Sequence, residues 1–103
     1  MRFQRLKLLI GEENFSKLSA STVAVFGVGG VGSFAVEALA RSGVSHLVLI
    51  DKDNVDATNI NRQIHALDTT VGKSKVEVMG ERIKKINPAA QVDTIQKFFL
   101  PSE

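Results

Sequence analysis

A glycine-rich hexapeptide, GVGGVG at residues 27–32, constrains the fold more than any other feature of this sequence. It follows an apolar, β-branched segment at residues 22–26, which predicts a buried parallel strand. Gly27, Gly29 and Gly32 have the GxGxxG spacing, in which the glycines permit a tight turn, a close backbone approach to a phosphate, and packing of the helix on the strand. A strand that leads through such a loop into a helix favours nucleotide binding over a purely structural turn.

The periodicity of the remaining chain predicts two helices and two further strands. The helices are predicted over residues 31–42, with Gly43 as a C-cap, and over residues 72–87. The strands are predicted at residues 46–50 and 91–95. Apolar residues share one face of each helix: Phe34, Ala35, Ala38 and Leu39 on the first, and Val76, Met79, Ile83 and Ile86 on the second.

The segment that joins the second strand to the second helix, residues 51–71, is polar and rich in turns, with one short helix predicted near residues 59–63. The order strand–helix–strand–helix–strand predicts the α/β class, as the Rossmann-like βαβαβ half of a doubly wound, mainly parallel sheet. In a full sheet of this kind the first strand lies in the middle, so residues 22–26 would here form an unpaired edge. The chain ends at Glu103, where the next element would begin, and we therefore expect a fragment of a longer domain.

Residues 1–20 are interpreted as an N-terminal helical arm, and residues 21–103 as the N-terminal half of the nucleotide-binding domain. The arm contains two short helical segments that are interrupted at Gly11. Its net charge of +2 equals that of the whole chain. From the residues alone, a solvated amphipathic helix is the favoured explanation of that charge.

The composition excludes several classes of function. The chain has no cysteine, which excludes disulfides, thiolate zinc sites and a cysteine nucleophile within these residues. No apolar run exceeds four residues and the N-terminus is charged, so neither a membrane-spanning helix nor a secretory signal is predicted. His46 and His65 have no neighbouring ligand partners, so no metal site is predicted. We expect a soluble cytoplasmic protein without a membrane partner.

An acidic residue and a fourth glycine refine the prediction of nucleotide binding. Asp51 closes the second strand 19 residues after Gly32, where a carboxylate can hold ribose hydroxyls. This position is compatible with both a dinucleotide and ATP. Gly30 adds a glycine to the loop, so three of four consecutive turn positions lack a Cβ, which favours ATP.

Three cations that follow the acid also favour ATP. Arg62 lies in the crossover, and Lys73 and Lys75 are predicted in the first turn of the second helix. Lysines there oppose the helix dipole at a cost of roughly 0.3 kcal/mol each, which a bound polyphosphate would offset. The alternatives are an i,i+4 pair of Lys73 with Glu77 and a solvated Lys75.

Four motifs in register resemble the adenylating domain of the HesA/MoeB/ThiF family, which is related to ubiquitin-activating enzymes. They are GVGGVG at residues 27–32, DKD at 51–53, NINRQ at 59–63 and VGKSK at 71–75. The resemblance implies binding of ATP with Mg²⁺, adenylation of an acceptor carboxylate and release of pyrophosphate. It also implies that the magnesium-binding aspartate and the acceptor-binding half lie beyond residue 103, so that this chain alone is expected to be inactive.

The resemblance implies a role for particular residues of this sequence. Asp51 would hold the ribose, and Asn59, Arg62 and Lys75 would contact the phosphates, with Arg62 and Lys75 taking part in catalysis. Arg5 would reach the ATP site of the neighbouring subunit in a homodimer, as a third catalytic residue. The nucleotide-binding residues implied are Gly27, Gly29, Gly30, Gly32, Asp51, Asp53, Asn59, Arg62 and Lys75.

Within the family, residues 2–3, 61–67 and 77–88 most resemble the branch of tRNA threonylcarbamoyladenosine dehydratases. That branch implies ATP-dependent cyclisation of a modified adenosine, with tRNA as substrate and a sulfur-transfer or carrier protein as a further partner. The alternatives are a sulfur-carrier-protein adenylyltransferase, an NAD(P)-dependent oxidoreductase domain and a non-catalytic nucleotide-sensing module. Basic residues of the crossover and second helix could contact RNA phosphate or form a solvated face: Lys73, Lys75, Arg82, Lys84 and Lys85.

Overall fold

A computed structural model describes residues 2–97 and shows one parallel sheet with helices. The three strands lie in the order β1–β2–β3, and their register places Phe26, Ile50 and Ile95 side by side at the carboxyl edge. The α/β prediction is confirmed. The elements in chain order are α1 (Gln4–Ile10), α2 (Glu12–Ser19), β1 (Thr22–Phe26), α3 (Gly30–Arg41), β2 (His46–Ile50), a 3-10 helix (Ala57–Asn59), α4 (Lys75–Ile86) and β3 (Gln91–Ile95).

The core lies where α3 and α4 pack on one face of the sheet. Leu47 and Leu49 alternate along β2, so both point to the same face, and both are fully buried. Since the helices contribute to the same apolar cluster, this face is the one they cover. The predicted stripe of α4 is confirmed, because Val76, Met79 and Ile83 are buried and Ile86 packs against them.

Two predictions about burial near β1 were wrong. In β1, Ala24 and Phe26 are exposed. They alternate with Val23 and Val25, which pack against the core, so they point away from the face that α3 and α4 cover. Among the described residues, β1 pairs with β2 alone and forms the expected edge. In α3, three residues of the predicted face are exposed, namely Phe34, Ala35 and Ala38. Leu39 of that face does pack against the core, beside the buried Val36 and Ala40, so this prediction was wrong only in part. Helical periodicity predicted the helix, but the face that packs on the sheet is rotated from the predicted one and includes Val36 and Ala40 as well as Leu39.

The second helix begins later than predicted. Ser74 is the N-cap of α4 and its hydroxyl accepts a hydrogen bond from the Glu77 amide, so the helix begins at Lys75. Lys73 therefore precedes the helix, and its predicted place in the first turn was wrong. The i,i+4 helical spacing between Lys73 and Glu77 is lost with it.

Local capping also shifts the short helix of the crossover. It spans Ala57–Asn59 instead of residues 59–63, because Asp56 caps it by accepting from the Thr58 amide at 2.9 Å. Gly43 has a φ of +93° and follows Ser42, which is the C-cap of α3. Gly43 is thus one residue beyond the cap position that the sequence predicted.

The arm consists of two short helices, as predicted, joined at Gly11 with a φ of +87°. Helix α1 buries none of its residues, whereas α2 buries Phe15, whose ring lies 5.6 Å from that of Phe3. The boundary between residues 20 and 21 stays a prediction, and the end of the chain, where a further element was expected, lies outside residues 2–97. The longest helices in the described part have 12 residues, and none could cross a bilayer.

One ion-pair cluster joins α3 to α4. Glu37 of α3 accepts hydrogen bonds from Arg82 of α4, one of them 3.0 Å long, and from Arg41 at 3.1 Å. The Arg82 hydrogen bonds lower the pKa of Glu37, with a smaller contribution from Arg41, although burial opposes the shift. Glu37 also raises the pKa of Arg82, so the pair is charged at neutral pH.

We predict that Gly32→Ala destabilises the fold by about 2–3 kcal/mol, because its Cβ would lie 1.9 Å from the Gly27 carbonyl oxygen. Gly30→Ala is the matched control, since no atom lies within 4 Å of a Cβ there, and we expect a change within about 0.5 kcal/mol. Urea unfolding of both variants measures the difference. Equal stabilities would contradict the close approach of loop and helix.

We predict that Glu37→Gln lowers the free energy of unfolding by about 1 kcal/mol at pH 7, a value reduced for the partial exposure of Arg82. The folded-state pKa of Glu37 lies below its unfolded value, so its contribution is complete above about pH 5 and is lost as the pH falls below about 4. Urea unfolding from pH 7 to pH 3 checks this, with the exposed Glu13→Gln as control. If the difference in unfolding free energy between wild type and Glu37→Gln did not change with pH, the lowered pKa of Glu37 would be refuted.

Candidate functional site

The glycine loop is held at the carboxyl edge of the sheet by the acid that follows β2. Gly27 has a φ of +88° and its amide donates to the Ile50 carbonyl at 2.7 Å. The Val28 amide donates to Oδ2 of Asp51 at 2.9 Å, and the Asp53 amide donates to Oδ1 of the same carboxylate at 2.8 Å. One carboxylate thus fixes the loop of the first strand and the segment after the second strand.

The start of α3 is open to a ligand. Its N-cap is Gly29, and no side chain in the described part of the chain caps the first turn. A Cβ at Gly30 would meet no atom within 4 Å, whereas one at Gly29 would lie 3.4 Å from Nε2 of Gln63. Free amides and the positive end of the helix dipole are suited to an anion.

A cleft of about 280 Å³ adjoins this loop at the carboxyl ends of β1 and β2. In an open parallel sheet, this edge is where ligands bind. Gly27, Asp51 and Asp53, three of the predicted nucleotide-binding residues, lie in its wall. The lining residues are Phe26, Gly27, Ile50, Asp51, Lys52, Asp53 and Lys97.

Backbone pairing brings the start of α4 to the same edge. Asn54 and Ser74 form an isolated antiparallel bridge, and the Lys75 amide donates to the Asp53 carbonyl at 3.1 Å. The crossover therefore returns on itself. As a result Lys75, 24 residues after Asp51 in the sequence, begins its helix beside the segment that the Asp51 carboxylate fixes.

Lys75 is a buried cation with a residue exposure of only 7%. In the described part of the chain, no carboxylate lies within 4.0 Å of its ammonium group. Its charge does help to lower the pKa of Asp56, although hydrogen bonds from Thr58 contribute more. A lysine that is largely removed from water and lacks a carboxylate partner is suited to binding an anion.

The crossover residues Asn59 and Arg62 differ in their placement. Asn59 is buried and its Oδ1 accepts from the Asp56 amide at 2.8 Å, which leaves its amide nitrogen as a donor. The backbone carbonyl of Asn59 accepts from the backbone amide of Gln63, and the side chain of Gln63 lies next to Gly29. Arg62 is exposed, and its Nη1 donates to the Thr58 carbonyl at 2.8 Å, so its guanidinium lies on the crossover and makes no described contact with the loop.

The structure also reveals an anchor that the sequence did not predict. His65 is buried, and its Nε2 lies 2.7 Å from the Val28 carbonyl oxygen. Because a carbonyl only accepts, Nε2 carries the proton, and the buried Nδ1 has no hydrogen-bond partner among residues 2–97. Burial lowers the pKa of His65, although the Val28 hydrogen bond opposes this, so the ring is neutral at pH 7. Asp51 thus holds the backbone amide of Val28, and His65 holds its backbone carbonyl.

A second unpredicted contact ties the crossover to α3. Ser33 is fully buried; its hydroxyl donates to the Gly30 carbonyl at 3.0 Å and accepts from the Ile64 amide at 3.3 Å. No sequence signal indicates these contacts, because Ser33 resembles any small helix residue and His65 was weighed only as a metal ligand. The Ser33–Ile64 hydrogen bond joins residues 31 positions apart in the sequence, and the Val28–His65 hydrogen bond joins residues 37 positions apart.

Most of the predicted nucleotide-binding residues therefore meet at one edge of the sheet. Two predicted residues are apart from them: the Arg62 side chain, and Arg5, which is exposed on α1. The residues brought together there are Gly27, Gly29, Gly30, Gly32, Asp51, Asp53, Asn59 and Lys75. Their roles toward a ligand stay predictions.

Comparisons with known proteins are consistent with this geometry. The chain is 57% identical over 98 residues to the tRNA threonylcarbamoyladenosine dehydratase of Bacillus subtilis, covering 95% of this chain and 39% of the relative. Crystal structures of the Escherichia coli tRNA N6-threonylcarbamoyladenosine dehydratase in complex with ATP and with AMP match it with a TM-score of 0.96 at 48% identity. Both cover 98% of this chain, and 42% and 41% of those chains respectively.

The chain thus spans about two fifths of the length of the relatives it matches. The match to a family profile, described as the ThiF family, covers residues 3–103. This range includes the glycine loop, the acid after β2, the crossover and the start of α4. The chain belongs to the ThiF family.

Proposed function

We propose that this chain forms the ATP-binding part of an adenylating enzyme that cyclises threonylcarbamoyladenosine in tRNA. The observation that carries the proposal is the convergence of the open glycine loop and the buried residue Lys75, which has no carboxylate partner among residues 2–97, at one edge of the sheet. The relatives support it, since the Escherichia coli enzyme of that name has been crystallised with ATP and with AMP. AMP is the part of ATP that remains with the acceptor after adenylation.

The residues at this edge fit a nucleoside triphosphate. The amides at the start of α3 and the Lys75 ammonium would neutralise phosphate charge. Each oxygen of Asp51 accepts one backbone hydrogen bond and keeps a lone pair, so the carboxylate can also accept from ribose hydroxyls. The absent Cβ of Gly30 leaves space for the ligand to approach the backbone.

The chemistry requires these residues to orient the triphosphate for attack at its α-phosphate. The threonyl carboxylate would attack that phosphate and expel pyrophosphate, which leaves AMP on the carboxyl group. An internal nucleophile would then attack the carboxyl carbon and expel AMP, and this step closes the ring. Lys75, Asn59 and Arg62 would hold the phosphates as pyrophosphate departs. Arg62 must first give up its hydrogen bond to the Thr58 carbonyl, so we assign it to the ligand-bound state. Magnesium would be held by an aspartate beyond residue 103.

The same proposal includes the assembly and its setting. We propose a cytoplasmic homodimer with tRNA as substrate, in which Arg5 of one subunit completes the ATP site of the other. The exposed position of Arg5 on α1, a helix that buries none of its own residues, supports a role toward a second subunit. A sulfur-transfer or carrier protein would be a further partner.

We predict that Lys75→Ala and Arg62→Ala each weaken ATP binding by about 10-fold to 100-fold in the full-length protein, because each removes a charge-assisted hydrogen bond to phosphate. Lys75→Met is a control that retains the buried volume and removes only the charge. ATP-induced shifts in melting temperature and ATP–pyrophosphate exchange measure the effects, with NAD as a comparison ligand. Exchange at the wild-type rate in both alanine variants would remove these residues from the site.

We predict that Arg5→Ala and Asp51→Ala subunits, each inactive alone, recover activity when mixed. A mixed dimer contains one site with both residues intact, so random assortment gives about a quarter of the wild-type activity. The assay follows pyrophosphate release after dissociation and reassociation of the subunits. Persistent inactivity, with mixed dimers verified by mass spectrometry, would show that Arg5 does not act in trans.

A further inference from the structure

A second cleft lies away from the glycine loop and is strongly basic. Its volume is about 490 Å³, and cationic side chains make up most of its wall. None of its residues belongs to the nucleotide-binding set described above. The lining residues are Arg2, Phe3, Arg41, Arg82, Lys85 and Ile86.

The arginines of this cleft are held in place and still have free donors. Glu37 accepts from Nε and Nη2 of Arg82 and from Nε of Arg41. A guanidinium has five N–H donors, so Arg82 retains three and Arg41 retains four. Because one carboxylate orients both groups, little side-chain freedom remains to be lost when the free donors bind an anion.

The basic surface continues beyond this cleft. A neighbouring cleft of about 250 Å³ shares Arg82 and Lys85 with it and extends past Lys73 to the crossover. We define the basic strip as Arg2, Arg41, Lys73, Arg82 and Lys85. The carboxylates beside it are Glu37 and Glu81, so its formal charge of +3 exceeds the +2 of the whole chain.

We propose that the basic strip binds the phosphodiester backbone of the RNA substrate. This inference rests on the proposed function, which supplies tRNA as the substrate. Two joined clefts suit a polymer whose charges repeat along its length, whereas a single small anion would occupy only one of them. The strip ends at Lys73, two residues before Lys75. RNA bound along the strip would therefore extend to the crossover, close to the proposed ATP site.

The experiment measures binding of a fluorescein-labelled tRNA anticodon stem-loop to the full-length protein by fluorescence anisotropy. Lys85→Glu is the main variant, since Lys85 has no ion pair among residues 2–97 and its replacement leaves Glu37 undisturbed. Arg41→Glu is the second variant. We expect each to weaken RNA binding at least about 10-fold and to reduce the slope of log K against log salt by roughly one.

Lys17→Glu is the matched control, because it makes the same charge change on α2 outside the strip. Its RNA affinity should stay within about twofold of wild type, and all variants should keep the ATP-induced shift in melting temperature. If Lys85→Glu binds RNA with wild-type affinity and keeps the ATP-induced shift in melting temperature, the basic strip does not bind RNA, and the proposed function is unaffected. Polyglutamate that competes with the RNA at equal charge would also overturn it, in favour of an acidic protein.

Absence of an ATP shift in the wild-type protein would instead contradict the proposed function. The RNA measurements would then still decide the role of the strip, because they do not depend on nucleotide. If loss of RNA binding in Lys85→Glu and Arg41→Glu is matched in Lys17→Glu, the effect is one of net charge, and the strip is refuted.

Discussion

The fixing of one loop residue from two sides is the interaction on which the rest of the site depends. The Val28 amide is held by Asp51 and its carbonyl by His65. Because both partners lie C-terminal to β2, the first βα turn acquires its shape only when the second strand and the crossover are in place. The close approach of Gly32 to the Gly27 carbonyl then sets the direction of α3. Loop, helix and crossover therefore form one rigid unit around the open amides.

Charge is distributed over this unit in two separate groups. At the carboxyl edge of the sheet, Lys75 is a buried residue with no carboxylate partner in the described part of the chain, an arrangement suited to binding an anion. Where α3 meets α4, Glu37 orients Arg41 and Arg82 and neutralises only part of their charge. The first group is suited to a compact polyphosphate and the second to an extended polyanion, which is why we assign them different ligands.

The sequence predicted the elements better than it predicted their surroundings. All three strands have their predicted bounds, and the GVGGVG motif correctly located the turn between β1 and α3. The predicted buried face of α3 was wrong for Phe34, Ala35 and Ala38 and right for Leu39, because periodicity alone does not fix which side of a helix meets the sheet. Lys73 was placed in α4 because the cap at Ser74 was not recognised. The His65 anchor depends on a contact between distant segments, and no local pattern encodes it.

The most direct test of the central claim is a crystal structure of the full-length protein grown with equal concentrations of a non-hydrolysable ATP analogue and NAD. The account predicts the triphosphate against the amides that begin α3, with Nζ of Lys75 within hydrogen-bonding distance of a phosphate oxygen and Asp51 on the ribose. A dinucleotide in that position, or a triphosphate bound elsewhere with Lys75 still unpaired, would contradict it.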